Sequence, residues 1–205
     1  MVRPREHSRE HFLDAAIRIV DAEGLEALTL RRLGPQVGVS YTAVYTYFKT
    51  REDLIAALVD RISEEIIAGV ALSGGSARDQ LIAIAMSSRR ALARHPRLAT
   101  VYVSDQSDAV AGTQATLSVV ALLESSGIRG RDALTAYRVI ENYVFGSTIF
   151  DFGAAPNHLA IRRRRYRATS HPEFKSVGIS DKAVGQHNDE AFEKGLALIL
   201  DGLGI

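Results

Sequence analysis

The 205-residue chain sets 25 Lys/Arg against 24 Asp/Glu, a net charge of +1, and 46% of its residues are hydrophobic, the proportions of a globular protein with a real core: one medium domain, or a small one joined to a larger. It has no cysteine, which excludes disulfide frameworks, thiolate zinc sites and cysteine nucleophiles and suits a reducing compartment. The polar start Met1–His7 and the lack of any run near the roughly 20 apolar residues of a membrane helix give no signal peptide and no membrane partner, so a cytoplasmic location is expected.

The elements are helical throughout. Phe12, Ala15, Ala16, Ile19 and Val20 make one apolar stripe at i, i+3, i+4, i+7, i+8, with Ser8 as its cap and Gly24 as its stop. Thr29 caps a short second helix whose Leu30, Leu33 and Val37 face inward, and Gly38 ends it. Ser40 caps a third, predicted from Tyr41 to about Phe48. Thr50, with Asp53 three residues on, opens a fourth carrying Leu54, Leu58 and Ile62 inward. A loop follows at Ser73-Gly74-Gly75-Ser76. Further helices are predicted over about 77–94, after Pro96, over about 109–125 and over about 132–152, with breaks at Ser125-Ser126-Gly127 and Gly153. Residues 156–186 read as a long irregular segment, and a last helix is expected from Asn188. The fold class is therefore all-α, with an N-terminal three-helix unit over 1–60 and a larger helical domain over 61–205.

The segment from Thr29 to Phe48 carries the sharpest signal. Two short helices that cross steeply with almost no linker need backbone freedom, which Gly38 supplies. Val39 packs into the angle, Ala43 is small at the crossing, and Val44 and Phe48 anchor the second helix. Tyr41, Thr42, Tyr45 and Thr46 are left on an outer face whose aromatics and hydroxyls suit the major groove of duplex DNA. Charge adds little, because Met1–Arg51 holds eight Lys/Arg against six Asp/Glu.

The pattern Val39-Ser40-x-x-Ala43-Val44-Tyr45-x-Tyr47-Phe48-x-x-Arg51-Glu52-x-Leu54 resembles the DNA-binding domain of TetR-type repressors. The resemblance spans Phe12 to Leu58. It implies that Thr29, Tyr45 and Arg51 hold phosphates and that Tyr41 and Thr42, with Thr46, read bases; Ser40, Tyr47 and Lys49 complete the expected DNA-binding set. Arg51 stands where Lys is usual and Tyr47 where His is common. Thr42 takes a place often held by Gly or Pro. Gly34 replaces a usual Ala at about 1 kcal/mol in helix propensity, and Pro35 after it is expected to bend that helix or delay its start.

Asn188 to Leu203 is similar to the last helix of tetracycline-repressor-like C-terminal domains, which implies a homodimer built on the last two helices. The broad apolar faces of 132–152 (Leu134, Tyr137, Ile140, Val144, Phe145, Ile149, Phe152) and of the final helix (Phe192, Leu196, Leu198, Ile199, Leu200, Leu203) agree with burial on more than one side. The resemblance also implies a small-molecule effector among the middle helices. Met86, Tyr102, Tyr137, Phe145 and Ile149 are its candidate lining, and Arg89, Glu141 and Asn142 its candidate polar contacts. The run Arg162–Arg165 reads as a solvated loop. The six histidines form no His-Glu-x-x-His pair, and neither a Gly-x-Ser-x-Gly elbow nor a phosphate-cradling glycine loop is present. No enzyme, catalytic residue, cofactor or metal is expected. The expected function is a ligand-responsive transcriptional regulator, a repressor that binds a palindromic operator as a dimer and is released by a small molecule. The competing readings are an enzyme, or a helical partner-binding protein without operator specificity.

Overall fold

A computed structural model describes residues 8–68, 70, 75–104, 110–152 and 157–205. The expectations placed on Met1–His7, Ser73, Gly74, Ala109, Gly153, Pro156 and the Phe152 side chain lie outside what it describes. Among the described residues there are eleven α-helices, joined by turns and one short 3-10 segment at Leu25–Ala27, and no strand.

The first half follows the sequence closely. Helix α1 (Arg9–Glu23) buries all five stripe residues, and the Gly24 N–H closes it on the Val20 carbonyl. Helix α2 (Leu30–Gln36) starts where Thr29 accepts the Arg32 N–H at 3.2 Å, so Pro35 does not delay it and falls in its last turn. Helix α3 is shorter than predicted. It covers Tyr41–Val44, and a hydrogen-bonded turn carries the chain on to Phe48 through Tyr47 N–H and Phe48 N–H to the Val44 carbonyl. Helix α4 (Arg51–Ala68) opens on the expected reciprocal cap, with Asp53 N–H donating to Thr50 and Thr50 N–H donating to Asp53.

Helices α5 (Ala77–Arg94), α6 (Pro96–Ser104), α7 (Val110–Ser125) and α8 (Arg131–Phe152) match the predicted elements. The segment 156–186 does not. It holds helix α9 (His158–Ala168), helix α10 (Pro172–Val177) and the start of helix α11 (Asp181–Gly202), which begins at a Ser180 cap eight residues before Asn188. The arginine run hid α9, because its mean composition is polar on nearly every face. Arg162–Arg165 is therefore helical, and its first two members are paired. Arg162 donates to Asp151 and Asn188 at 2.6 and 2.7 Å, and Arg163 pairs with Asp181.

Two apolar clusters organise these helices. One joins α1, α2, Val44, Phe48 and α4 to Ala91 and Leu92 at the end of α5 and to Leu98, Ala99 and Val101 of α6. The other joins α5, α7, α8 and α11 through Leu81, Val119, Leu123, Ile140, Phe192 and Leu196. Burying each such large side chain contributes about 1.5–3 kcal/mol. Residue 60, the expected domain boundary, lies inside α4, and the first cluster continues past it.

The α2–α3 crossing rests on two glycines. Gly38 adopts φ +77 at the turn, a left-handed conformation that side chains other than glycine's resist. Gly34 is buried at the closest approach, where a Cβ would stand 2.9 Å from both the Cα and the N of Tyr41. Its low helix propensity is thus a consequence of close packing. We expect Gly34→Ala to destabilise the fold by about 1–2 kcal/mol, since overpacking against backbone costs about 1–3 kcal/mol and the propensity gain returns at most about 1 kcal/mol. Urea denaturation measures it, and a stability equal to or above wild type contradicts the close-approach argument.

Candidate nucleic-acid interface and effector cavity

The α3 segment presents two opposite sides. Val44 and Phe48 are buried, and Phe12 lies against both Phe48 and Tyr47, with ring centroids 6.4 and 4.9 Å apart. On the outer side Tyr41 and Tyr45 are 50% and 49% exposed. One side of the segment is thus buried while two aromatic rings stand half in water on the other, an arrangement that suits contact with a partner. Ser40, Thr42, Thr46 and Lys49 are exposed on the same segment, and Thr29 is exposed at the start of α2. The Ser40 and Thr42 hydroxyls lie 2.6 Å apart. Tyr47 is 39% exposed, with its ring resting on Phe12. Eight of the nine expected DNA-binding residues are thus exposed, seven of them within the 40–49 segment and Thr29 at the start of the α2 that packs against it.

Arg51 is the exception. It is half-buried, and its guanidinium points back into the protein, donating from Nε to the Leu28 carbonyl and from Nη2 to the Leu25 carbonyl, each at 3.0 Å. The fork of a guanidinium can span two carbonyls that a lysine ammonium cannot satisfy in the same plane. That gives Arg, where Lys is usual in the resemblance, a structural use: it fastens the start of α4 to the α1–α2 connection. Exposed cations on these elements include Lys49 and Arg31. Sequence reading passed over Arg31, whose guanidinium lies 6.0 Å from the Tyr41 ring centroid; its place two residues after Thr29 was the available signal.

Among the middle helices lies a cavity of about 70 Å³, walled by Ile66 of α4, residues of α5 and α7, and Tyr102, Tyr137, Glu141 and Phe145. It is apolar except at one end. There Tyr137 donates its hydroxyl to Glu141 at 2.6 Å, and the Thr116 hydroxyl lies 3.0 Å from the same phenol oxygen. Burial first, and Glu141 beside it, push the Tyr137 phenol up to about 12, so it stays protonated and acts as a donor. Tyr102 and Phe145 stack at 4.9 Å, and the Tyr102 hydroxyl lies 3.0 Å from that of Ser63, a fully buried residue of α4. A second space of about 380 Å³ shares Tyr102, Glu141 and Phe145 with it and is lined also by Arg138, Asn142, Gly146 and Ile149.

Six of the eight expected effector residues therefore border one space or the other, and two do not. Met86 packs into the α5–α7–α8–α11 cluster. Arg89 is buried in an ion network, 3.0 Å from Asp151 and 2.8 Å from Asp189, with its guanidinium over the Phe192 ring. Among the described residues no group of three or more His, Asp or Glu is arranged to hold a metal ion.

Comparisons with known proteins agree with this geometry. The family model described as bacterial regulatory proteins, tetR family, matches residues 12–58. The model of the tetracyclin repressor-like C-terminal domain matches residues 71–205. An HTH-type transcriptional repressor of Mycobacterium tuberculosis is 26% identical over 95% of this chain and 79% of its own length. The tetracycline repressor protein class D of Escherichia coli is 27% identical over 69% of this chain and 65% of its own. A possible TetR family transcriptional regulator from Streptomyces coelicolor A3(2) superposes with a TM-score of 0.73 at 25% identity, covering 96% of this chain and 98% of that one. The Streptomyces coelicolor protein ActR, solved in complex with actinorhodin, shares the fold with a TM-score of 0.68 at 22% identity, over 96% of each chain.

The inward-turned guanidinium gives a direct test. Arg51→Ala leaves two backbone carbonyls without a charged donor and is expected to lower stability by about 2 kcal/mol. Lys49→Ala, on an exposed side chain, is expected to change it by less than about 0.5 kcal/mol. Equal denaturation midpoints for the two variants would contradict the assignment.

Proposed function

The chain belongs to the TetR family and is a ligand-responsive DNA-binding transcriptional regulator, and from that premise we propose how its residues divide the work. Tyr41, Thr42 and Thr46 read base edges in the major groove. Thr29, Ser40, Tyr45, Tyr47, Lys49 and Arg31 hold the phosphates on either side. Arg51 keeps α4 in register with α1 and α2 and so positions the reading surface. The observation that carries this reading is the exposed Tyr41–Tyr45 side of a segment whose other side is buried to the last atom at Val44.

The working unit is a homodimer that binds a palindromic operator as a repressor. The family resemblance expected its interface on the last two helices. Helices α9 and α10 intervene between α8 and α11, so the interface is assigned to α8 and α11, which are not consecutive. Val139 and Phe150 of α8 and Leu198 of α11 are 44%, 69% and 71% exposed, and Gly146 has open space where a side chain would begin. Such apolar exposure on helices that are otherwise packed supports a self-complementary contact. A twofold pair would place its two reading surfaces about 34–36 Å apart, one turn of duplex.

The effector is a small, mostly apolar molecule held among α4–α8, with Tyr137 and Glu141 as its polar contacts. No metal or cofactor is assigned to it and no enzymatic role to the chain. No helix among the described residues is long and apolar enough to cross a membrane. A cytoplasmic location is the one that binding operator DNA calls for. The reading head is assigned to residues 1–60 and effector binding and dimerisation to 61–205, with α4 shared between the two.

Footprinting on the DNA upstream of the chain's own gene is expected to protect two half-sites one helical turn apart. In a selection from random duplexes, Tyr41→Ala should change the preferred bases, whereas Tyr45→Phe should weaken binding to all sequences alike. Unchanged base preference in Tyr41→Ala would refute the placement of the reading face. Linkage requires operator DNA and effector to weaken each other's binding by the same factor, so an effector affinity that is the same with and without operator refutes the regulatory mechanism.

A further inference from the structure

The segment after α8 concentrates positive charge. Residues 158–182 hold seven Lys/Arg against two Asp/Glu, which leaves 18 against 22 in the remainder of the chain. Arg162 and Arg163 are paired with Asp151 and Asp181. Arg167 of α9 and Lys175 of α10 have no carboxylate partner among the described residues, and with Gly178 and Ile179 they line a space of about 450 Å³. Two contacts hold these cations in place. The Tyr166 and Phe174 rings, 5.1 Å apart, fasten α10 to α9, and His171 lies against Phe174. Gly178 is buried, and a Cβ there would stand 3.1 Å from the Arg167 Cγ and from the Tyr166 Cβ, so its bare backbone lets the stem of Arg167 pack against the end of α10. Ile179, beside them, is 72% exposed, the highest value of any large apolar side chain described. Leu198 and Phe150, nearly as bare, belong to the helices of the proposed dimer contact; Ile179 lies on neither.

We propose that this recess between α9 and α10 is a second small-molecule site, which takes an organic anion with a phosphate or carboxylate head and an apolar body. The head sits between the Arg167 guanidinium and the Lys175 ammonium, and the body covers Ile179. A guanidinium offers two oxygens of such a head a planar fork of donors, and lysine adds a compact charge. Exposed ion pairs are weak when two long side chains must be ordered to form them. Here the stem of Arg167 is already packed at Gly178, so less freedom remains to be lost. Arg164 and Arg165, exposed on the same helix and also without a carboxylate partner among the described residues, raise the local concentration of anions. No carboxylate lines the recess, so a cation finds no counter-charge there. The spaces among α4–α8 have the opposite character, because Glu141 borders both. The two regions therefore sort ligands by charge, and the anion site stands apart from the regulator reading.

The probe is 1-naphthyl phosphate, which is fluorescent and joins a phosphate head to a two-ring apolar body. Its Kd is measured on the full-length protein by fluorescence titration at low ionic strength, where exposed charges are least screened. Replacing both Arg167→Gln and Lys175→Gln is expected to raise the Kd about tenfold or more. Ile179→Ser, which keeps both cations, is expected to raise it about threefold or more. The pair Arg129→Gln and Arg131→Gln removes the same charge from the exposed α7–α8 turn and should change it by less than about twofold. All five side chains are exposed, so the variants keep the fold. Failure of wild type to bind the probe overturns the site, and so does a Kd unchanged in the Arg167–Lys175 variant, the result expected if the probe binds only among α4–α8. Equal weakening by the α7–α8 turn variant overturns it too, since overall charge would then account for the effect. A Kd unchanged in Ile179→Ser overturns the apolar half of the assignment.

Discussion

The molecule depends on the unbroken rod of α4. Leu54 and Leu58 lock its first half into the cluster that fixes α1, α2 and the α3 segment, and its second half carries Ser63 against Tyr102 and Ile66 against the cavity. An α-helix rises about 1.5 Å per residue, so the one helix spans from Leu54 in the first cluster to Ile66 at the cavity. The Thr50–Asp53 cap closes the first turn, and the Arg51 fork fastens it to the α1–α2 connection. One helix thus answers to both ends of the molecule, and each fastening along it is a side chain that could be cut singly.

The other half is held by a different device. Arg89, Asp151, Arg162, Asn188 and Asp189 tie α5, α8, α9 and α11 together in a largely buried network. Removing charges from water is expensive, and a buried pair is recouped only when the remaining donors and acceptors are satisfied. Here Asp151 accepts from two guanidiniums, and each guanidinium also lies over an aromatic ring, Phe192 for Arg89 and Phe150 for Arg162. The network thus adds directional contacts among four helices to the apolar packing between them.

Much of this was legible from residue order alone, and the exceptions share a cause. The stripe from Phe12 to Val20, the Thr29 cap and the Thr50–Asp53 cap are local patterns, and each formed as its pattern predicts. The inward or outward aim of Tyr41, Val44, Tyr45 and Phe48 was also readable, although the helix there ends at Val44. What escaped was long-range. Arg162 reads as a solvated charge until Asp151 and Asn188 are seen beneath it, and α9 was lost with it. Arg51 reads as a free cation until the carbonyls of Leu25 and Leu28 arrive from more than twenty positions away. Gly34 reads as a weak spot in a helix until the Tyr41 backbone lies against it. Arg89 reads as a ligand contact until two aspartates claim it. A long polar side chain can serve several partners, and only the tertiary fold selects among them.

The packing of α6 also bears on how such proteins diversify. Leu98, Ala99 and Val101 complete the core beneath α1, and His95, at the junction of α5 and α6, meets Asp21 of α1 at 2.6 Å. The reading head therefore borrows part of its floor from residues beyond the nominal seam. Joining this head to a body with other side chains at Leu98, Ala99, Val101 and His95 would leave that floor mismatched, so the two halves are not freely exchangeable modules.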